Sequence, residues 1–254
     1  SNEAELLPAR QPKRRAAENW WIASYSALRI GEDSLTLATD SSQAQQLLDD
    51  ERPDPQLLRE VMPGSGDIHR FPRGPNPGTF LHGLLEWAGN EGFASVTADN
   101  EALMRTVGQR CNRRDWSGWI NTLGPWLQQL LVQPMDLGAG SPLSLNQLTQ
   151  YQIEMEFWFA SHKVDVGQLD RLVCEHTHQG AVRVAAQSAQ LNGMFKGFID
   201  LAFEHDGRYY VADYKSNWLG SDDTAYSELA MEGAILSHRY DLQYVLYLLA
   251  MHRQ

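Results

Sequence analysis

From Gln152 to Phe159 (QIEMEFWF) apolar and polar positions alternate. Ile153, Met155, Phe157 and Phe159 fall on one side and Glu154, Glu156 and Trp158 on the other, which predicts a strand that shows acids to one face. Gly197 to Gly220 (GFIDLAFEHDGRYYVADYKSNWLG) holds two further strand-like runs joined at Asp206-Gly207. A two-residue Asp-Gly link predicts a type I′ hairpin, because both central positions of that turn need positive φ. Helical spacing takes over elsewhere. Asn76-Pro77 ahead of GTFLHGLLEWA reads as a capped helix start with Leu81, Leu84, Leu85 and Ala88 as its apolar stripe and His82 and Glu86 one turn apart on a neighbouring face. Leu103 to Leu131 reads as helical, with Trp116, Trp119 and Trp126 as core and boundary aromatics, and residues 132–146 as a linker. After Gly220 a helical pattern runs to the end, where Leu242, Leu246 and Leu249 face the core and Gln243 and Tyr247 lie one turn apart, spaced to cap a buried network or, less favourably, to touch a backbone phosphate. Residues 31–75 are rich in Gly, Pro, Asp and Gln and predict loop with short helices at most. Residues 1–17 are polar and basic and are expected to be disordered, leaving 18–254 as one domain whose ordered part starts within Trp20 to Leu28.

The hairpin carries the chemistry. With Asp206 and Gly207 as the loop, His205 faces Arg208, Asp200 falls across from Asp213 and Phe198 across from Lys215. Side chains alternate with period two, so Asp213 and Lys215 project beside Asp200. Opposed side chains lie about 4.5–5.5 Å apart at Cβ, where like charges repel. Either one carboxyl keeps its proton or a divalent cation sits between the two, and hard oxygen ligands suit Mg²⁺ or Mn²⁺. The competing reading is a solvated hairpin face with an ordinary surface cluster, and a one-residue slip of register would separate the acids.

Bulk properties narrow the classes. The 254-residue chain has the composition of a globular protein, and its net charge of −11 opposes extensive phosphate contact, although Arg10, Lys13, Arg14 and Arg15, and again Arg110, Arg113 and Arg114, form cationic spots. Cys111 and Cys174 are its two cysteines, too few for an iron–sulfur cluster and against a disulfide scaffold. No apolar run approaches the roughly 20 residues that span a bilayer, and the start shows no signal peptide, so a cytoplasmic chain is expected. It begins Ser1-Asn2 without an initiator Met, as expected of a piece of something larger. There is no GxxxxGK[ST] loop, hence no ATP site, and no GxSxG elbow. His176 and His178 sit among Glu175, Thr177 and Gln179 in what reads as an exposed turn.

Taken together, GTFLHGLLE around His82, EMEF around Glu156, GFID ending at Asp200, ADYKSNWLG around Asp213 and Lys215, and LQYVLY holding Gln243 and Tyr247 resemble the C-terminal nuclease domain of RecB subunits. That domain belongs to RecBCD helicase–nucleases (exonuclease V), within the PD-(D/E)XK superfamily. The resemblance runs from about Trp20 to the end, and DYKSNWLG is its most specific part. Ile199 stands where the superfamily's nominal Pro would be, as is usual in RecB-like members.

The resemblance implies an α/β fold: a restriction-endonuclease-like core with a mixed central sheet flanked by helices, and a helical N-terminal extension carrying His82. It implies a Mg²⁺-dependent exodeoxyribonuclease acting on single-stranded DNA ends in double-strand break repair, recombination and DNA degradation. His82, Asp200 and Asp213 would ligate the metal with the Tyr214 backbone carbonyl, and Lys215 would be the catalytic lysine. Glu156, or less favourably Glu154, would match the acid of the first core strand, and Gln243 with Tyr247 the QxxxY motif near DNA. Mn²⁺ would be tolerated and excess Ca²⁺ inhibitory. RecC and RecD of the parent complex, and RecA, would be partners, with no membrane association. The alternative class is a catalytically weak docking module for RecC or RecA.

Overall fold

The computed structural model describes residues 21–25, 28, 67–138, 142–186 and 190–253. The segment 1–17 and most of the expected loop 31–75 lie outside them; within that loop, Ile68–Arg70 forms one short 3₁₀ turn.

Four strands make a mixed sheet: β1 (Trp21–Ala23), β2 (Tyr151–Asp165), β3 (Gln190–His205) and β4 (Arg208–Ala212). β3 is the spine. β2 runs antiparallel along one of its edges, while on the other edge β1 pairs in parallel at Gly193 to Phe195 and β4 antiparallel at Leu201 to His205. The Asp-Gly turn forms as expected, with positive φ at Asp206 (51°) and Gly207 (72°), and His205 faces Arg208. The ladder ends at Leu201 and Ala212, one pair short of Asp200 and Asp213. Asp200 therefore sits on the β3 edge between the β1 and β4 pairings, and the chain leaves the sheet at Asp213.

The helices are α1 (Pro75–Glu91), α2 (Phe93–Ala98), α3 (Asn100–Asn112), α4 (Ile120–Val132), α5 (Val166–His176), α6 (Glu228–His238) and α7 (Tyr240–Arg253). α1 starts earlier than the sequence suggests. Its N-cap is Gly74 and Pro75 is its first residue, so Asn76 lies inside the first turn and caps nothing. The stretch read as one helix from Leu103 to Leu131 is split by a turn in which Trp119 is buried. The C-terminal helical run is likewise two helices, broken at Arg239, whose φ of 61° closes α6 in the left-handed region.

Two apolar cores flank β3. The first gathers Leu84, Leu85 and Ala88 of α1 with Leu103, Leu123, Leu127, Leu201 and Phe203. The second gathers Met155, Phe157, Phe195, Ile199 and Ala202 with Leu242 and Leu246 of α7. Helix α1 approaches β2 closely at Gly89, where a Cβ would stand 2.3 Å from the Ile153 side chain, and the Tyr151 hydroxyl donates to the Gly89 carbonyl at 2.9 Å. That contact sets His82, two turns earlier, above the end of the hairpin.

Candidate active site

The site forms where β4 ends. The Tyr214 amide donates to Asp200 Oδ2 at 2.7 Å, and His82 Nδ1 lies 3.4 Å from the same oxygen. Where two opposed carboxylates would repel, the chain turns out of the ladder and offers Asp200 a backbone N–H. Asp213 forms an ion pair with Lys215 and accepts from Gln243 Nε2 at 3.4 Å. The Lys215 ammonium also lies 4.5 Å from the centre of the Tyr240 ring.

The irregular segment beyond Asp213 is pinned along its length. Tyr240 donates to Asn217 Oδ1 at 2.8 Å, the Leu219 amide donates to the Tyr226 hydroxyl at 3.3 Å, and the Arg73 guanidinium lies 3.6 Å from the Trp218 ring centre. Such side-chain anchoring replaces the sheet hydrogen bonds that Asp213 to Gly220 give up.

β2 contributes Glu154, not Glu156. Ile153 pairs with Leu201 and Met155 with Ile199, so Glu154 falls opposite Asp200. Its φ of 47° lies in the left-handed region, a local departure from the strand at this point. Burial, followed by the charges of Glu86 and Asp213, pushes the Glu154 carboxyl up to about 7. Glu156 faces Phe198 on the exposed side, where it pairs with Lys196 at 2.9 Å and accepts from Trp158 Nε1 at 3.0 Å. Hydrogen bonds from Lys196 and Trp158 hold that carboxyl below its usual range. The structure therefore does not bring Glu156 into the cluster.

Gln243 and Tyr247 form a buried polar network. Both are 1% exposed, and Gln243 Nε2 donates to the Tyr247 hydroxyl at 2.9 Å as well as to Asp213. They sit behind the cluster and brace Asp213; neither presents a surface to DNA. Leu249, expected in the core, is 38% exposed. His176 and His178 are occupied by the Leu172 carbonyl and by Glu232.

A buried charge network was missed by sequence reasoning. Arg183 pairs with Asp241 Oδ2 at 2.7 Å, and Arg239 bridges Asp241 and Asp170 at 3.1 and 2.5 Å. Burial opposes the charge of Asp241, but hydrogen bonds from Arg239 and Arg183 outweigh it and hold the carboxyl below its usual range. The network anchors the first turn of α7 and hence Gln243. No spacing in the sequence announces it, since its members span 170 to 241.

Burial pushes the Cys111 thiol up to about 11, so it is no ready nucleophile. Among the described residues, no three His, Cys, Asp or Glu side chains already converge as a formed metal centre would. The donor chemistry nevertheless fits a hard cation: Asp200, Asp213 and Glu154 offer carboxylate oxygens and His82 an imidazole.

The raised Glu154 carboxyl makes a stability prediction. With a folded-state value near 7 against an ordinary ~4.3, Glu154 favours folding most below about pH 4.3, and this contribution is lost as pH rises toward 7. Glu154→Gln is expected to stabilise the chain at pH 8 by on the order of 1 kcal/mol, after allowance for solvent screening, and to change little at pH 4. Thermal melts in EDTA at the two pH values measure it; a variant less stable than wild type at pH 8 would contradict it.

No family model matches the chain. It is similar to the RecBCD enzyme subunit RecB of Escherichia coli K12, at 36% identity over 97% of this chain, and to that of Haemophilus influenzae, at 29% over 93%. The RecB subunit of Mycobacterium tuberculosis matches at 26% over 94%. The chain spans only 20% and 19% of the length of the first two relatives. Nearly its whole length is thus homologous to a stretch, about 20% in extent, of the RecBCD enzyme subunit RecB.

Proposed function

We propose that the chain is a metal-dependent DNA nuclease unit of the PD-(D/E)XK type, which hydrolyses phosphodiester bonds of single-stranded ends within a RecBCD-type helicase–nuclease. One observation carries the reading: Asp200, Asp213, Lys215, His82 and Glu154, from four separate parts of the chain, gather at the end of one hairpin. Homology to RecB supports it independently.

Asp200, Asp213 and His82, with the Tyr214 carbonyl, would hold Mg²⁺ or Mn²⁺, and Glu154 takes the place expected of Glu156. When bound, such a cation supplies Lewis-acid charge and lowers the pKa of water to make a nucleophile near neutral pH. Lys215 acts in its charged form. Held by Asp213, its ammonium stabilises charge that develops on the phosphate. Gln243 and Tyr247 keep the Asp213 carboxylate in place from behind. Asp200 is fixed from its own strand by the Tyr214 amide, so the two carboxylates are positioned by different elements. RecC and RecD of the parent assembly, and RecA outside it, would be partners that deliver or receive the strand.

The test is cleavage of end-labelled single-stranded DNA by the chain with Mg²⁺, Mn²⁺, excess Ca²⁺ or EDTA. Cleavage with the first two, and none with the last two, is the expected result. No cleavage under any condition, with no Mg²⁺- or Mn²⁺-dependent rise in melting temperature, would contradict the reading and favour a docking module.

A further inference from the structure

We propose that the cavity beside Lys215 is a subsite for one nucleobase of the single strand whose phosphate the acidic cluster engages; this rests on the nuclease reading above. The cavity encloses about 200 Å³ and lies between the start of α1 and the segment after Asp213, with Lys215 in its wall. Trp126, Trp218, Tyr226 and His69 line it together with Arg73.

Size and chemistry both select the occupant. At about 200 Å³ the space falls below the roughly 300–1,000 Å³ of sites for larger ligands, so it admits one ring system and not a base pair. Aromatic faces beside a cation are the recurring means of holding an unpaired base, because every base has a π face. The Arg73 guanidinium over Trp218 extends that surface, since guanidinium planes also stack on bases.

Charge sets the strand's direction. Beyond His69 and Tyr226 an adjoining cavity of about 680 Å³ is lined by Asp67, Asp222 and Asp223, where phosphates are unwelcome. His69 is held there by Asp223 at 2.7 Å. The base therefore points inward while its phosphates lie toward Arg73 and Lys215. The consequence is selectivity: the site engages a strand only where a base is free to leave its partner.

The test measures binding in EDTA, where nothing is cleaved, using the full 254-residue chain. The probes are a short labelled oligothymidylate and an abasic strand of the same length. Wild type is expected to bind the oligothymidylate more tightly by about 5- to 150-fold, the range of one stacked base. Trp218→Ala should weaken binding of the oligothymidylate more than that of the abasic strand and so erase the preference, and Trp218→Phe should restore most of it. Equal wild-type affinity for the two strands, or equal weakening of both by Trp218→Ala, would overturn the proposal; the first comparison needs no variant and so survives a misfolded one. A base preference without metal-dependent cleavage would retain the subsite and remove the nuclease, whereas cleavage without base preference would do the reverse.

Discussion

Asp213→Ala is expected to lower metal-dependent cleavage of single-stranded DNA by at least about 10²–10³-fold, the scale on which a single preorganised charge-stabilising group acts. Asp213 joins three parts of the site. It accepts from Gln243, pairs with Lys215 and raises the neighbouring Glu154 carboxyl. Its loss would remove a proposed cation ligand and at once release Lys215 from its ion pair. Folding should suffer little, because relief of the repulsion with Glu154 offsets the lost ion pair. Single-turnover cleavage and a thermal melt on the same preparation check both halves. Cleavage equal to wild type would refute the assignment; collapse of the fold would show that Asp213 is chiefly structural.

Asp241→Asn should produce the largest loss of stability. Asp241 is fully buried between Arg183 and Arg239, and breaking one side of a buried charge group costs about 3–5 kcal/mol because the partner charges remain behind. For a chain of this size that is a fall in melting temperature of roughly 6–20 °C. Since the Asp241 carboxyl is held below its ordinary value, its contribution is present above about pH 4 and fades as the pH falls through its folded-state value. The gap between variant and wild type should therefore narrow in acid. A melt unchanged by the substitution at pH 7 would refute this account of how α7 is anchored. Because the first turn of α7 leads into Gln243, cleavage should fall along with stability.

The hairpin was legible because Asp206-Gly207 fixes both turn type and register, and the pairs from His205–Arg208 to Leu201–Ala212 follow that count. What lies just past the ladder was not. Asp200 and Asp213 leave the pairing because a backbone N–H is a better neighbour for a carboxylate than a second carboxylate. Strict alternation put Glu154 and Glu156 on one face and could not say which enters the site. The positive φ at Glu154 and its place opposite Asp200 decide it, and neither is written in the periodicity. Helix α7 misled for a different reason. Tyr240, Asp241, Leu242 and Gln243 are buried in succession, and a helix buried on several sides has no single apolar stripe to read. Hence Leu249 was placed inward although it is 38% exposed, and spacing alone left Gln243 and Tyr247 between a phosphate contact and the buried polar network they form.

Acids from neighbouring β-segments, with His82, are proposed to share a divalent cation. Titration calorimetry of the chain with Mn²⁺ and Mg²⁺ tests it most directly. Saturable uptake by wild type and its loss in Asp200→Ala are expected; no saturable uptake of either ion by wild type, or uptake undiminished by that substitution, would overturn the shared-cation site.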